Sequence, residues 1–413
     1  MSYSRREFGR LALAGLPAVA VLSRNEEIFG AFAQAKPNSL INGVQVGTIT
    51  YSYRSMPDQS AEATLRYIVD SGISSIELMG GPVESYAGAP SSGRGGGAGR
   101  GPGGPGGQGG AGGAAGAGGA PGAGGAGGAR GGRGQSTGPI DPSKLAPGER
   151  IGEWQGHQCV IAAEGGDPGA PGGGRAGGGG GGGRGRGQTP EQQAAQQEAQ
   201  QAIKAWRVSV SMDPFKKLRK MYNDAGVTIY AWKQLNPNMS DEEFEYVFNV
   251  AEALGCTHTT LELPNGTDAG AQLKRIGDFA LKKKIYAAYH THTQGSMTVF
   301  DQAFAASKGN MANVDLGHWV AGGNKGGTPM DFLTKFHDRT ASFHLKDRTT
   351  PEHCALNLPW GTGETPITQI LQLVQKNKWK MPAAIELEYP IPEGSDAVQE
   401  VRKCLDYCRH ALA

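Results

Sequence analysis

Eight β-rich runs alternate with helical periods along most of this chain, and that rhythm constrains the fold more than any other feature. It predicts strands over 44–53, 72–79, 226–233, 257–263, 284–289, 311–316, 340–346 and 382–389. Helices are expected over 61–70, 190–204 and 214–224, from about 240, and near 268–282, 298–307, 329–338, 366–376 and 396–411. Thr189-Pro190-Glu191 and Ser240-Asp241-Glu242-Glu243 carry start signals, a hydroxyl able to cap the first free N–H groups. Eight such units in series make an α/β chain that closes as a (β/α)8 TIM barrel. An open doubly wound sheet competes with it, but no Gly-x-Gly-x-x-Gly turn follows the first strand.

Composition matters where the rhythm breaks, between strands two and three. Most of the 68 glycines among 413 residues fall between 91 and 188, mixed with Ala, Pro, Gln and Arg. Without a strict three-residue glycine period collagen is excluded and disorder is expected. Loop closure entropy grows slowly with length, so a long insertion here is tolerable. We read 84–188 as a low-complexity insertion after strand two, with an island near 140–165 holding Trp154, His157 and Cys159. Residues 40–83 and 189–413 then form a single barrel domain. The net charge of +2 is small, and much of the arginine lies in the glycine-rich stretch, which speaks against nucleic acid as a partner. The five cysteines are odd in number and none is paired as C-x-x-C; Cys404 and Cys408 read as packing residues.

At the N-terminus, Arg5-Arg6-Glu7-Phe8 precedes an apolar run over 11–22 that is too short to cross a membrane. The pair resembles a twin-arginine signal, so 1–35 is expected to be a signal peptide and the protein periplasmic or otherwise exported from a bacterial cell. No later run is long and apolar enough to span a bilayer, so no transmembrane segment is expected in the mature chain.

The strand ends gather metal-capable groups: Glu262 on strand four, His290 and His292 at strand five, and Asp315 and His318 at strand six. His344, Lys346 and Asp347 stand at strand seven, and Glu386 and Glu388 at strand eight. In a barrel these ends form the catalytic face. A carboxylate turned into the interior is costly unless paired or metal-bound. Nitrogen and oxygen donors without thiolates suit one divalent metal ion, Mn2+ or Zn2+ first, with Co2+, Mg2+ and Fe2+ open. Each residue also has a plainer reading. Glu262 can be an ion-pair partner at the barrel end, His290 or His292 a satisfied core histidine, and Asp347 a cap. Trp232, Tyr51 and Tyr53 can offer apolar contact to a ligand or simply pack the core.

Asp315-Leu316-Gly317-His318, His344-Leu345-Lys346-Asp347, Gly361-Thr362-Gly363 and a strand-eight glutamate together resemble the xylose-isomerase-like barrel superfamily, the sugar phosphate isomerase/epimerase group. The resemblance covers nearly all of 40–410 apart from the insertion. It implies Glu, Asp, His and Glu as metal ligands. Asp315, His344 and one of Glu386 or Glu388 fill three of those places. The strand-five place reads His290-Thr291-His292-Thr293-Gln294, so Glu262, His290 or His292 stands in for the first ligand. The implied activity is a divalent-metal-dependent isomerase or epimerase acting on a free sugar or related α-hydroxy carbonyl compound through an enediolate. Glu262 or Glu386 would move the proton, His318 would hydrogen-bond a substrate oxygen and Lys346 would offset charge. Export favours free sugars or glycosides as substrate over phosphorylated ones. Two alternatives stay open: a metal-dependent lyase or hydrolase cleaving oxidised (3-keto) glycosides by proton abstraction and elimination, and an exported non-catalytic carbohydrate-binding protein. The superfamily's DNA-repair nucleases use three zinc ions and extra histidines near strands two and three, where this chain has Glu77 and Trp232-Lys233. A homo-oligomer is left open.

Overall fold

The computed structural model describes residues 36–90, 140–154, 157–162 and 189–413. The signal expected over 1–35 and most of the insertion expected over 84–188 lie outside the described residues.

Eight parallel strands close into a barrel: β1 (Val44–Ile49), β2 (Ser75–Met79), β3 (Thr228–Lys233), β4 (His258–Glu262), β5 (Tyr286–His290), β6 (Asn310–Asp315), β7 (Thr340–Leu345) and β8 (Ala383–Ile385). Each pairs with the next, and β8 returns to β1 through Ala384 opposite Gly47. Around them lie α1 (Ala61–Asp70), α2 (Asp213–Asp224), α3 (Asp241–Leu254), α4 (Ala269–Lys283), α5 (Asp301–Ala306), α6 (Pro329–Phe336), α7 (Ile367–Asn377) and α8 (Ala397–Ala411). Local chemistry sets their ends. Ser240 and Glu243 form the capping box anticipated for α3, and Gly255, at φ 79°, closes it in the left-handed region.

Period-two alternation divides each strand between two environments. Ile76, Leu78, Val314, Phe343 and Leu345 are fully buried on the helix-facing side, with Phe244, Phe248 and Phe332 from the helices. The alternate positions carry Glu77, Thr260, Asn313, Ser342 and His344 into the interior, where they too are buried. The barrel centre is therefore a polar column inside an apolar sleeve.

Two strand expectations are corrected at their ends. The first strand, expected to reach 53, stops at Ile49, and Thr50–Tyr53 form a 3-10 turn. The eighth, expected over 382–389, is only Ala383–Ile385. Its chain then finds other partners: Leu387 N–H donates to Ser52 Oγ at 3.0 Å, and Arg54 Nη1 donates to the Leu387 carbonyl at 2.6 Å. Tyr53 and Trp232 are core residues, donating to Ser71 Oγ and to the Val247 carbonyl, while Tyr51 is exposed with the Arg54 guanidinium over its ring.

The insertion leaves and rejoins the barrel at one buried buckle. Glu84, on a short helix (Gly80–Tyr86) after β2, receives Arg207 Nε at 2.8 Å and Nη2 at 3.1 Å from the helix Pro190–Ser209. Within the insertion a hairpin forms from Arg150–Trp154 and His157–Ile161. A disulfide joins its Cys159 to Cys354, in the loop after β7, with the Cα atoms 5.2 Å apart. Cys256, Cys404 and Cys408 are free and buried. Among the described residues no helix is long and apolar enough to cross a membrane.

Candidate metal centre

Strand register brings the expected ligands to one level. His290 pairs with Glu262 on one side and Asn313 on the other, and His344 pairs with Asp315 and Ala384. From this frame His290, Asp315, His344 and Glu386 point to one place, each offering a ligand atom within 4.8 Å of the others, and all four are buried. Gly317 is required nearby, because a Cβ there would fall 2.5 Å from the Lys346 carbonyl oxygen. Asp315 opens the turn that follows β6, accepting the His318 N–H at 2.6 Å.

His344 bridges two carboxylates, with Nδ1 2.9 Å from Glu386 Oε2 and Nε2 2.9 Å from Glu77 Oε2. Burial opposes its charge, but Glu386 and Glu77 push it up to about 10. Burial likewise opposes the charge on Glu77, and His344 overrides it, holding that carboxyl at about 2. Lys346 Nζ sits 3.0 Å from Asp315, 2.9 Å from Glu386 and 2.7 Å from Glu388. Burial raises Asp315 to about 6 despite Lys346. Burial pulls His290 down to about 3, helped by Lys233, which leaves its imidazole neutral.

The donor set fits a divalent ion: two imidazoles and two carboxylates, the mixture that Zn2+, Mn2+ or Fe2+ accepts. Asp315 Oδ2 is the sharpest indication. It is buried and accepts no hydrogen bond, although Lys346 Nζ is 3.0 Å away. Lys346 answers its charge, and a cation among the four groups would add the directed contact that it lacks.

Of the other expected site residues, Glu262, His292 and Glu388 are accessible at the rim, whereas His318 and Asp347 are buried. Glu262 holds Lys233 at 2.7 Å, is 53% exposed, and has His292 Nε2 at 3.8 Å. Glu388 meets Lys346 and lies 3.7 Å from His318 Nε2. Arg348, buried on the short strand Asp347–Arg348 beyond β7, donates from Nη1 to His318 Nδ1 at 2.5 Å and from Nη2 to the Ala355 carbonyl. A guanidinium can only donate, so His318 Nδ1 is an acceptor and its Nε2 carries the N–H toward the mouth. Asp347 accepts the N–H groups of Gly361, Gly363 and Thr365, which fixes the loop beyond β7.

Sequence reasoning did not place Glu77, Asn313, Ser342 or Arg348 in the site. The readable signal is a charged side chain at an inward position of a β-rich run, such as Glu77 in Ser-Ile-Glu-Leu-Met.

No family model matches the chain, and no curated protein matches it. Solved barrels do. A probable 3-DHS dehydratase of Bacillus anthracis aligns over 88% of this chain and 98% of its own, at 10% identity and a TM-score of 0.46. A sugar phosphate isomerase/epimerase of Parabacteroides distasonis aligns over 47% and 74%, at 18% identity and TM-score 0.38. A xylose isomerase-like TIM barrel protein of Mycobacterium smegmatis, in complex with magnesium, aligns over 50% and 79%, at 18% identity and TM-score 0.36. These are likenesses of one barrel to another, at identities that say nothing about activity.

Proposed function

We propose that the protein is an exported, divalent-metal-dependent isomerase or epimerase acting on a free sugar or a related α-hydroxy carbonyl compound by proton transfer next to the carbonyl. The observation that carries this reading is the convergence of the buried His290, Asp315, His344 and Glu386 at the C-terminal mouth of a barrel. The ion, when held there, supplies Lewis-acid polarisation of neighbouring substrate oxygens.

The rest of the work falls to the chain. Glu262 on β4 and Glu388 beyond β8 come from opposite sides of the closed ring, so a sugar carbon over the cluster has a carboxylate on either side. Burial raises the Glu262 carboxyl, but Lys233 brings it below its ordinary value, which keeps it ionised and able to accept a proton. His318 offers Nε2–H to a substrate oxygen. Lys346 compensates charge that develops as the proton leaves. Lys233, Lys346 and Arg348, the cations that act on the cluster and its rim, are already engaged by Glu262, by three carboxylates, and by His318 with the Ala355 carbonyl. That engagement favours a neutral polyol over a phosphorylated one. Export is supported by the Cys159–Cys354 disulfide, a bond that persists in oxidising compartments.

Elimination from an oxidised glycoside is the second reading, and His318 favours it, since the same N–H next to Glu388 can hydrogen-bond a leaving oxygen that takes its proton from water. Incubating the metal-loaded protein with free ketoses and with 3-keto-glycosides in D2O separates the two. Deuterium entering the carbon beside the carbonyl of a free sugar, without bond cleavage, supports isomerisation; release of the aglycone supports elimination. A protein that binds sugars while neither binding metal nor exchanging protons would be a carbohydrate-binding protein instead.

A further inference from the structure

Beneath the four clustered groups runs a chain of hydrogen bonds that none of the roles above uses. It starts at the Tyr230 carbonyl, which accepts from Thr257 Oγ1 at 3.2 Å. Thr257 Oγ1 is 2.9 Å from His258 Nδ1, and His258 Nε2 is 2.9 Å from Ser342 Oγ. Asn313 Nδ2 donates to Ser342 Oγ at 2.6 Å, and Asn313 Oδ1 lies 2.9 Å from His290 Nδ1.

The direction at His290 follows from the partners along this chain. With the Thr257 proton on the Tyr230 carbonyl, which also accepts the Thr257 N–H at 2.9 Å, the Thr257 oxygen accepts from His258 Nδ1–H. His258 Nε2 then holds a lone pair and takes the Ser342 proton. Ser342 oxygen takes an amide proton of Asn313, leaving Asn313 Oδ1 to accept from His290 Nδ1–H. A second anchor gives the same answer from the other side. Glu77, a carboxylate, accepts from Thr260 Oγ1 at 2.5 Å and has Asn313 Nδ2 at 3.4 Å and His344 Nε2 at 2.9 Å. Turning the Asn313 amide over would set its oxygen against both Glu77 and Ser342.

We infer that Asn313 and Glu77 are positioning residues for the two histidines of the cluster: Asn313 fixes Nδ1–H on His290, which presents Nε2, and Glu77 keeps a proton on His344 Nε2, so that Nδ1, once it gives up the proton it shares with Glu386, is the atom His344 can present. The inference rests on the metal reading for its purpose, but the His290 tautomer is a property of the protein alone. Outer partners of this kind orient a ligating imidazole and raise its basicity, and their loss weakens metal affinity by about 10–100-fold.

The first test is 15N–1H correlation of the histidine rings in the metal-free full chain. A protonated Nδ1 on His290 is expected; a protonated Nε2 with bare Nδ1 overturns the assignment. The second is Zn2+ affinity by competition with a chromophoric chelator, comparing the wild type with Asn313→Leu, which keeps the volume and removes the acceptor. A loss of about 10–100-fold is expected, together with disappearance of the His290 Nδ1–H signal. Unchanged affinity contradicts the inference. If Asn313→Leu does not fold, the wild-type ring spectra still decide. A wild type that binds no Zn2+ refutes the metal reading, while the ring spectra judge the His290 tautomer independently.

Discussion

The barrel interior and its rim are built from the same residue types, yet they are chemically unlike. Inside, His290, Asp315, His344 and Glu386 are buried and converge. On the rim, Glu262 and His292 are each 53% exposed, and Glu262 is neutralised by Lys233. What separates the two sets is desolvation. An interior carboxylate cannot be left to water, so each is answered by His344, Lys346 or a hydroxyl, and among the described residues Asp315 Oδ2, a buried carboxylate oxygen without a hydrogen bond, lies where a cation fits. A rim carboxylate is hydrated, free to reorient, and suited to moving a proton.

The largest expected break of this contrast is His344→Ala. It leaves Glu77 and Glu386 buried without their common partner, which should cost about 3–5 kcal/mol in the metal-free protein and abolish metal binding. Denaturant unfolding and elemental analysis of the purified variant would read both effects, and retained metal would break the contrast.

The next is a pH experiment on the metal-free protein. Glu77 is held at about 2 against an ordinary 4.5, so its stabilisation is full above 4.5 and is lost as pH falls toward 2. His344, raised from 6.5 to about 10, stabilises fully below 6.5 and loses that effect as pH rises through 10. Asp315, raised from 3.8 to about 6, stabilises below 3.8 and fades as pH rises through 6. The melting-temperature gap between wild type and Glu77→Gln isolates the first contribution. It should be widest between 4.5 and 6.5 and shrink on either side, whereas a gap independent of pH would remove the pair from the account.

Smaller still is Cys159→Ser, which unties the hairpin from the loop beyond β7. Faster amide exchange is expected in 150–161 and 349–358, with the strand amides unchanged; exchange spreading through the barrel would mean that the insertion is part of the core. The smallest is Glu262→Gln. An exposed ion pair contributes about 0.2–1 kcal/mol, so stability should barely move and bound metal should stay, while proton exchange into substrate slows. Loss of metal in that variant would erase the distinction between rim and interior.

Much of this was legible in the residues. The alternation of β-rich and helical runs marked all eight strands, because buried parallel strands and amphipathic helices impose different periods on the sequence. His290, Asp315, His344 and Glu386 were each visible at strand ends. Their grouping was not, since the same reasoning held Glu262, His292 and Glu388 as equals, and only register and the early end of β8 separate Glu386 from Glu388. Asn313 was hidden because an amide carries no charge signature. The Cys159–Cys354 pair was hidden because its halves are 195 residues apart and on separate loops.

The central claim is one ion among these four side chains, and anomalous diffraction from crystals of the protein grown with Zn2+ or Mn2+ tests it most directly. The account predicts a single strong peak bounded by His290, Asp315, His344 and Glu386. A peak at Glu262 and His292 instead, or no peak at the cluster with metal in excess, would contradict it.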